Sequence, residues 1–381
     1  MKIAHVISTF PPKIGGMGQV CSEEVKRLAA AGHQVTVFTL AYPETAVTSE
    51  AGAAPSFKIV CLKTLRLGDA GLAWQLFWRL RGFDIVHLHY PFYGAYEWIL
   101  LARFFWRQKY LLTYHMDASP VGWLKKSLQK IYDRLWARPL IKNAERVIGV
   151  DEEHLRHAAL GRLAVKDKRR ILRLGVDGDF FHPRVLKARR IGDYNLTEQN
   201  VLLFVGNLLP FKRLDLILSA LQKLSDPNLM LIVVGGGYQE EIYQKMAEDL
   251  GVVRQVIFTG SCTDRKKLAR YYHLANVLVL PSSEAESFSL VILEAMASGL
   301  PVIASNLPGP RARVCVGQDG FLFEVGSADD LVVKIKEFFA LSAGQRRIMG
   351  LAGRAKVLKR YNWENHVAQL TEIYGEVVGK N

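Results

Sequence analysis

Cysteine is scarce in this 381-residue chain, and the four present, Cys21, Cys61, Cys262 and Cys315, lie far apart with no Cys-x-x-Cys pair. That spacing argues against a disulfide framework or a thiolate zinc site and points to a reducing compartment. Long apolar runs are missing too: no uncharged stretch reaches the roughly 18 residues of a spanning helix. The chain opens on a strand-like run, so no signal peptide is expected and the expected location is cytoplasmic. Repeats and low-complexity tracts are absent. So is the dinucleotide fingerprint Gly-x-Gly-x-x-Gly, which counts against an NAD-dependent enzyme. No recognised nucleic-acid-binding module occurs.

What is present is an ample core and an uneven charge. Half the residues are hydrophobic, enough for two or three globular domains. The net charge is +14, and residues 1–190 carry all of it: 30 Lys and Arg against 16 Asp and Glu, with 20 of each sign in residues 191–381. One half therefore meets something anionic that the other half does not.

Short apolar strands at 2–8, 34–39, 84–89, 110–113 and 146–150 alternate with helical stretches, and the pattern restarts at 201–205, 229–234, 256–259, 277–280 and 302–304. Such alternation implies α/β domains with parallel sheets covered on both faces. Residues 182–200, polar and basic, read as the linker between them.

The most informative stretch is 281–305. A buried strand ends before Pro281, a helix runs from Ser289 to Ala297, and Gly299 ends it before the next strand. In a parallel sheet, ligands bind beyond the carboxyl ends of the strands, where helix N-termini point free N–H groups at an anion. Glu286 and Glu294 stand two turns apart, about 12 Å. One carboxylate can therefore accept hydrogen bonds at each end of an elongated ligand, with the amides of Ser287, Phe288 and Ser289 between them suited to a diphosphate. Polyol, diphosphate and polyol in line describe a nucleotide sugar.

With its Pro-Ser lead, Glu pair and Glu-Ala-Met-Ala-x-Gly-x-Pro-Val helix end, this stretch resembles the signature of the group 1 glycosyltransferases (glycosyltransferase family 4), which are retaining and nucleotide-sugar-dependent. The resemblance implies a GT-B fold: two Rossmann-like domains facing across a cleft, 1–185 on the acceptor side and 191–362 binding the donor, with a last helix in 363–381 crossing back to the first. It implies that Glu286 binds sugar hydroxyls, Glu294 the ribose, and His115, in Thr-Tyr-His-Met-Asp, the donor sugar and phosphate. Lys212 matches the family's phosphate-contacting lysine, whereas Asn207 holds the usual arginine position, for which Arg213 is a candidate substitute. Gly16, in the glycine loop after the first strand, faces the donor in the family, and Leu290 completes the donor-binding set. The nucleotide sugar is a co-substrate, and neither cofactor nor metal is expected. Asp177-Gly-Asp179 mimics the Asp-x-Asp metal motif of a different glycosyltransferase architecture and is discounted.

Three features stay open. His87 and His89 read either as a metal pair or as residues bracketing a strand end, and Asp117 neighbours His115. In residues 123–136, Leu124, Leu128, Ile131 and Leu135 form a helical stripe flanked by Trp, Tyr, Lys and Arg. The stripe alone reads as core packing; with its flank it matches a helix lying on an anionic membrane surface. A non-catalytic nucleotide-sugar-binding protein is the alternative function, and no oligomeric state follows.

Overall fold

A computed structural model describes residues 1–13, 15–41, 57–64, 66–67, 70–117, 123–186, 188–283 and 289–379. The chain forms two compact units, Met1–Gly175 with Trp363–Asn381, and Val176–Asn362.

The first unit is built on a sheet of seven strands: β1 Lys2–Val6, β2 Gln34–Leu40, β3 Lys58–Leu62, β4 Ile85–Tyr90, β5 Tyr110–Tyr114, β6 Val147–Gly149 and β7 Arg169–Ile171. All pairings are parallel and the order is β3-β2-β1-β4-β5-β6-β7. Parallel neighbours need crossovers, and helices such as Gly16–Ala30 and Tyr96–Trp106 supply them. The last helix, Trp363–Val378, buries Trp363, His366, Val367, Leu370, Ile373, Tyr374 and Val377, a stripe at three- and four-residue spacing. It joins the core made by Ile3, Val35, Val37 and Ile85. Gly175 admits it, because a Cβ there would lie 2.4 Å from the Trp363 ring.

The second unit has six strands, β8 Asn200–Val205, β9 Leu229–Val234, β10 Val256–Phe258, β11 Val277–Leu280, β12 Val302–Ser305 and β13 Gly320–Phe323. They too are parallel, in the order β10-β9-β8-β11-β12-β13. β9 and β11 are buried at every residue, which is why their sequences are unbroken apolar runs. Each such Leu, Ile or Val contributes about 1.5–3 kcal/mol by leaving water.

In both sheets the first strand of the unit lies between the second and the fourth. The order reverses there, β1 beside β4 and β8 beside β11, and the loops leaving the two strands part to opposite sides. Both units are Rossmann-like.

The stripe in 123–136 is not core. The helix Trp123–Tyr132 continues into a wider turn at Asp133–Ala137, and Trp123, Leu128, Ile131 and Leu135 are all exposed, Trp123 at 79%. The Leu124 side chain lies outside the described residues. Among the described residues no helix is long and apolar enough to cross a membrane.

Candidate active site

At the switch point of the second unit, β8 and β11 deliver their exit loops side by side. The amide of Ser283, just after β11, donates to the carbonyl of Phe211 in the other loop at 2.8 Å. Lys212 ends the short turn Pro210–Lys212, half-buried, with its Nζ 5.3 Å from the centroid of the Phe211 ring. Gly235, at the exit of neighbouring β9, lets this loop close down, since a Cβ there would fall 1.9 Å from the Gly206 carbonyl oxygen. An open concavity beside the same exit is lined by Gly237, Tyr238, Glu240, Glu241 and Gln244.

Arg213 follows Lys212 in the left-handed region, φ 50°, and opens the helix Leu214–Leu224. Its guanidinium is turned onto Asp215, with Nε 3.0 Å from Oδ1 and Nη2 2.8 Å from Oδ2. The candidate substitute for the missing arginine at Asn207 is thus already paired.

The helix Leu290–Ala297 begins at Ser289, itself left-handed at φ 60°. The Ser289 side chain does not cap the helix, and its buried Oγ has no hydrogen-bond partner among the described residues. A buried hydroxyl without a partner costs free energy unless a ligand supplies one. Leu290 is the first helical residue. Glu286, Ser287 and Phe288 lie outside the described residues.

Glu294 stands one turn into that helix and accepts a hydrogen bond from the hydroxyl of Tyr272 at 2.7 Å. Tyr272, 1% exposed, comes from the helix Arg265–Leu274. Burial pushes the Glu294 carboxyl up to about 7, while the Tyr272 hydrogen bond and the Arg265 charge pull the other way. Arg265 also stands 3.5 Å from Asp177 and 4.6 Å above the Phe180 ring. Asp177 accepts from the Phe180 amide at 2.9 Å, so the carboxylate that opens Asp-Gly-Asp stabilises a turn.

In the first unit, Gly16 opens the helix Gly16–Ala30, and no atom lies within 4 Å of a Cβ built on it. His115 follows β5, its amide donating to the Tyr90 carbonyl at 3.1 Å and its Nε2 3.0 Å from His89 Nδ1. Burial, then the charges of His154 and His366, lower its pKa to about 3, so the ring is neutral at physiological pH. Asp117 accepts from the Tyr114 hydroxyl and from the Ala159 amide, a bracing role. His87 and His89 point to one side of β4, where His5 of β1 joins them. With Glu24 these three present atoms within 4.8 Å of one another, the set among the described residues that can hold a cation.

Sequence reasoning missed Tyr272, His5, Glu24, His366 and Tyr374. Each sits on an ordinary apolar strand or helix face, and only the fold brings it to its partner.

Two doubly wound sheets, one with a lysine loop, a helix-tip hydroxyl that lacks a partner among the described residues and a buried carboxyl near its switch point, define a pair of Rossmann-like domains of the GT-B kind. The Glycosyltransferase Family 4 model matches residues 14–180 and the Glycosyl transferases group 1 model residues 189–356, and the chain belongs to this family. It is 28% identical over 310 residues to the D-inositol 3-phosphate glycosyltransferase of Mycobacterium marinum, covering 78% of this chain and 64% of that protein. It is 31% identical over 208 residues to the GDP-mannose-dependent alpha-(1-6)-phosphatidylinositol monomannoside mannosyltransferase of Mycolicibacterium smegmatis, covering 52% and 54%. The chain thus spans less than two thirds of the length of these two relatives. Sucrose-phosphate synthase from Thermosynechococcus elongatus has the same fold, with a TM-score of 0.83 at 23% identity over 100% of both chains.

Proposed function

We propose that the chain is a retaining glycosyltransferase that moves a hexosyl group from a nucleotide-diphosphate sugar to an acceptor hydroxyl. The observation that carries this reading is that the Lys212 loop leaves β8 bonded to the loop that leaves the adjacent β11, the strand followed by the helix that carries Ser289 at its tip and the buried Glu294 carboxyl. The amides of Ser287, Phe288, Ser289 and Leu290 and the Lys212 ammonium receive the diphosphate. Glu294 takes the ribose and Glu286 the sugar hydroxyls. Gly16 and His115 keep the donor-contacting roles that the family resemblance implies, and Arg213 reaches the phosphates only by leaving Asp215. Residues 191–362 act as the donor domain, and 1–185 with 363–381 as the acceptor side.

In the reaction, the bond from the anomeric carbon to the β-phosphate oxygen breaks and a bond to the acceptor oxygen forms on the same face of the sugar. The acceptor proton passes to the departing phosphate. The barrier lies in separating an oxocarbenium-like sugar from that phosphate, so groups that stabilise its growing negative charge lower it. The helix dipole contributes about 0.3–2 kcal/mol, and Lys212 adds charge-assisted hydrogen bonds. Together they act in place of a divalent cation.

The acceptor is lipid-linked or carries phosphate and is presented at a membrane surface. The basic excess of residues 1–190 and the exposed Trp123, Leu128 and Ile131 beside Lys125, Lys126 and Lys130 support this. So do the names of the two relatives, one a D-inositol 3-phosphate glycosyltransferase and the other a phosphatidylinositol monomannoside mannosyltransferase. The test is release of nucleoside diphosphate from the donor that binds, with candidate acceptors added, and the anomeric configuration of the product by NMR. Binding without release for every acceptor class, or an inverted product, contradicts the proposal.

A further inference from the structure

Six side chains in the first unit form an unbroken line of hydrogen bonds through its interior. Thr113 Oγ1 lies 2.7 Å from His87 Nε2, and His87 Nδ1 lies 2.7 Å from the Tyr374 hydroxyl. That hydroxyl lies 3.4 Å from His5 Nε2. His5 Nδ1 is 2.9 Å from His89 Nε2, and His89 Nδ1 is 3.0 Å from His115 Nε2. All six are buried, His115 the least at 7%. The strand register puts His5 opposite His87 and His89 opposite Thr113, and the last helix brings the Tyr374 hydroxyl to both His87 and His5.

The four rings are neutral at physiological pH, because burial, and then the neighbouring histidines for His87 and His89, lower every one. A neutral imidazole has one N–H and one lone pair. Where both nitrogens of a ring are hydrogen-bonded in series, the proton on one ring dictates the proton on the next. Three arrangements satisfy the whole line. In one, all four rings carry the proton on Nδ1 and every bond donates toward His115; in the second, all four carry it on Nε2 and every bond donates away; in the third, the Tyr374 hydroxyl accepts from both His87 Nδ1 and His5 Nε2, so that His5, His89 and His115 carry the proton on Nε2.

Glu24 separates the first from the other two, both of which put the His89 proton on Nε2. Its Oε2 is buried 3.7 Å from His89 Nε2, yet receives no hydrogen bond among the described residues. A buried carboxyl oxygen beside an N–H would be drawn into a bond; beside a lone pair it would not. The chemistry points the same way, because a phosphate oxygen can only accept, and His115 Nδ1 makes no hydrogen bond among the described residues.

We propose that this line of hydrogen bonds fixes His5, His87, His89 and His115 in the same Nδ1–H tautomer, and that Tyr374 is a positioning residue that thereby makes His115 a hydrogen-bond donor to the sugar phosphate. The last clause rests on the donor site described above; the common tautomer does not. A cation held by His5, Glu24, His87 and His89 excludes the arrangement, since it would take ring nitrogens already committed to the line.

The test is long-range proton–nitrogen NMR of the full chain labelled with 15N-histidine, ligand-free, with assignments from single histidine substitutions. Four Nδ1–H rings are expected. Four Nε2–H rings, a mixture of tautomers, or shifts that follow a stoichiometric bound metal overturn the proposal. Tyr374→Phe is expected to turn the His115 signal into a mixture of both tautomers and to weaken nucleoside diphosphate binding by about two- to tenfold, the effect of one hydrogen bond. An unchanged His115 tautomer in Tyr374→Phe also overturns it. Because the ligand-free spectrum needs neither the variant nor a donor, misfolding of the one or lack of binding of the other leaves the decision intact.

Discussion

The Tyr272 hydroxyl donates to Glu294 across 2.7 Å, joining the helix after β10 to the helix after β11, and among the described residues it is the hydrogen bond that holds that carboxyl down while burial pushes it up to about 7. Removing the bond by Tyr272→Phe leaves burial unopposed except by Arg265. The pKa of Glu294 is expected to rise further, and with it the midpoint of the pH dependence of nucleotide binding. Only the carboxylate accepts from both ribose hydroxyls, so affinity should climb as pH rises through about 7 in the parent and later in the variant. Calorimetric titration from pH 5.5 to 8.5 reads both midpoints.

The same carboxyl affects stability. Its folded pKa lies above the ordinary 4.5, so the folded state binds the proton more tightly than the unfolded one. Stability contributed by that proton is present below about 4.5 and is lost as pH rises toward 7, by at most about 3 kcal/mol. Glu294→Gln should cancel this slope, its Tm gaining on the parent as pH rises. A Tm of Glu294→Gln that falls further behind the parent as pH rises contradicts the assignment.

Lys212 and Arg213 are expected to differ. Lys212→Ala should weaken nucleoside diphosphate binding by about 10- to 100-fold, the loss of a charged hydrogen-bond donor. Arg213→Ala, which removes a group already paired with Asp215, should weaken it less. Equal losses would show that Arg213 leaves Asp215 to take over from Asn207.

How much of this was legible beforehand follows from burial. β9 and β11 match the expected runs residue for residue because they are covered on both faces. β3, β7 and β13 gave no strand signal. Each is an edge of its sheet, partly solvated, with charged or half-exposed residues breaking the apolar run. Spacing singled out Glu294 and the family resemblance Lys212, and each lies beyond the carboxyl end of a strand that a crossover unit sets in the chain. Neither could find Tyr272 or the line from His5 to His115, whose members come from three strands and the last helix. Nor does a helical stripe say which side faces the core, and Leu128, Ile131 and Leu135 face solvent.

Those exposed residues give a further test. Reversing Lys125, Lys126 and Lys130 to Glu should cut co-sedimentation with anionic vesicles by at least about 100-fold, at about 1 kcal/mol per charge. Leu128→Ser with Ile131→Ser should lower it without lowering Tm, because neither side chain is buried. Binding indifferent to lipid charge contradicts the membrane assignment.

Turnover should persist in excess chelator, since the helix tip and Lys212 are assigned the charge a divalent ion would otherwise supply. Activity lost on chelation and restored by Mn²⁺ would contradict that assignment.

The most direct check is thermal denaturation of the parent chain and Lys212→Ala against a panel of nucleotide sugars. Binding at the β8–β11 switch point predicts that Tm of the parent rises with the logarithm of ligand concentration for at least one base and sugar, and that the rise needs far more ligand in the variant. No shift with any nucleotide sugar at millimolar concentration, or the same shift in both proteins, would contradict the account.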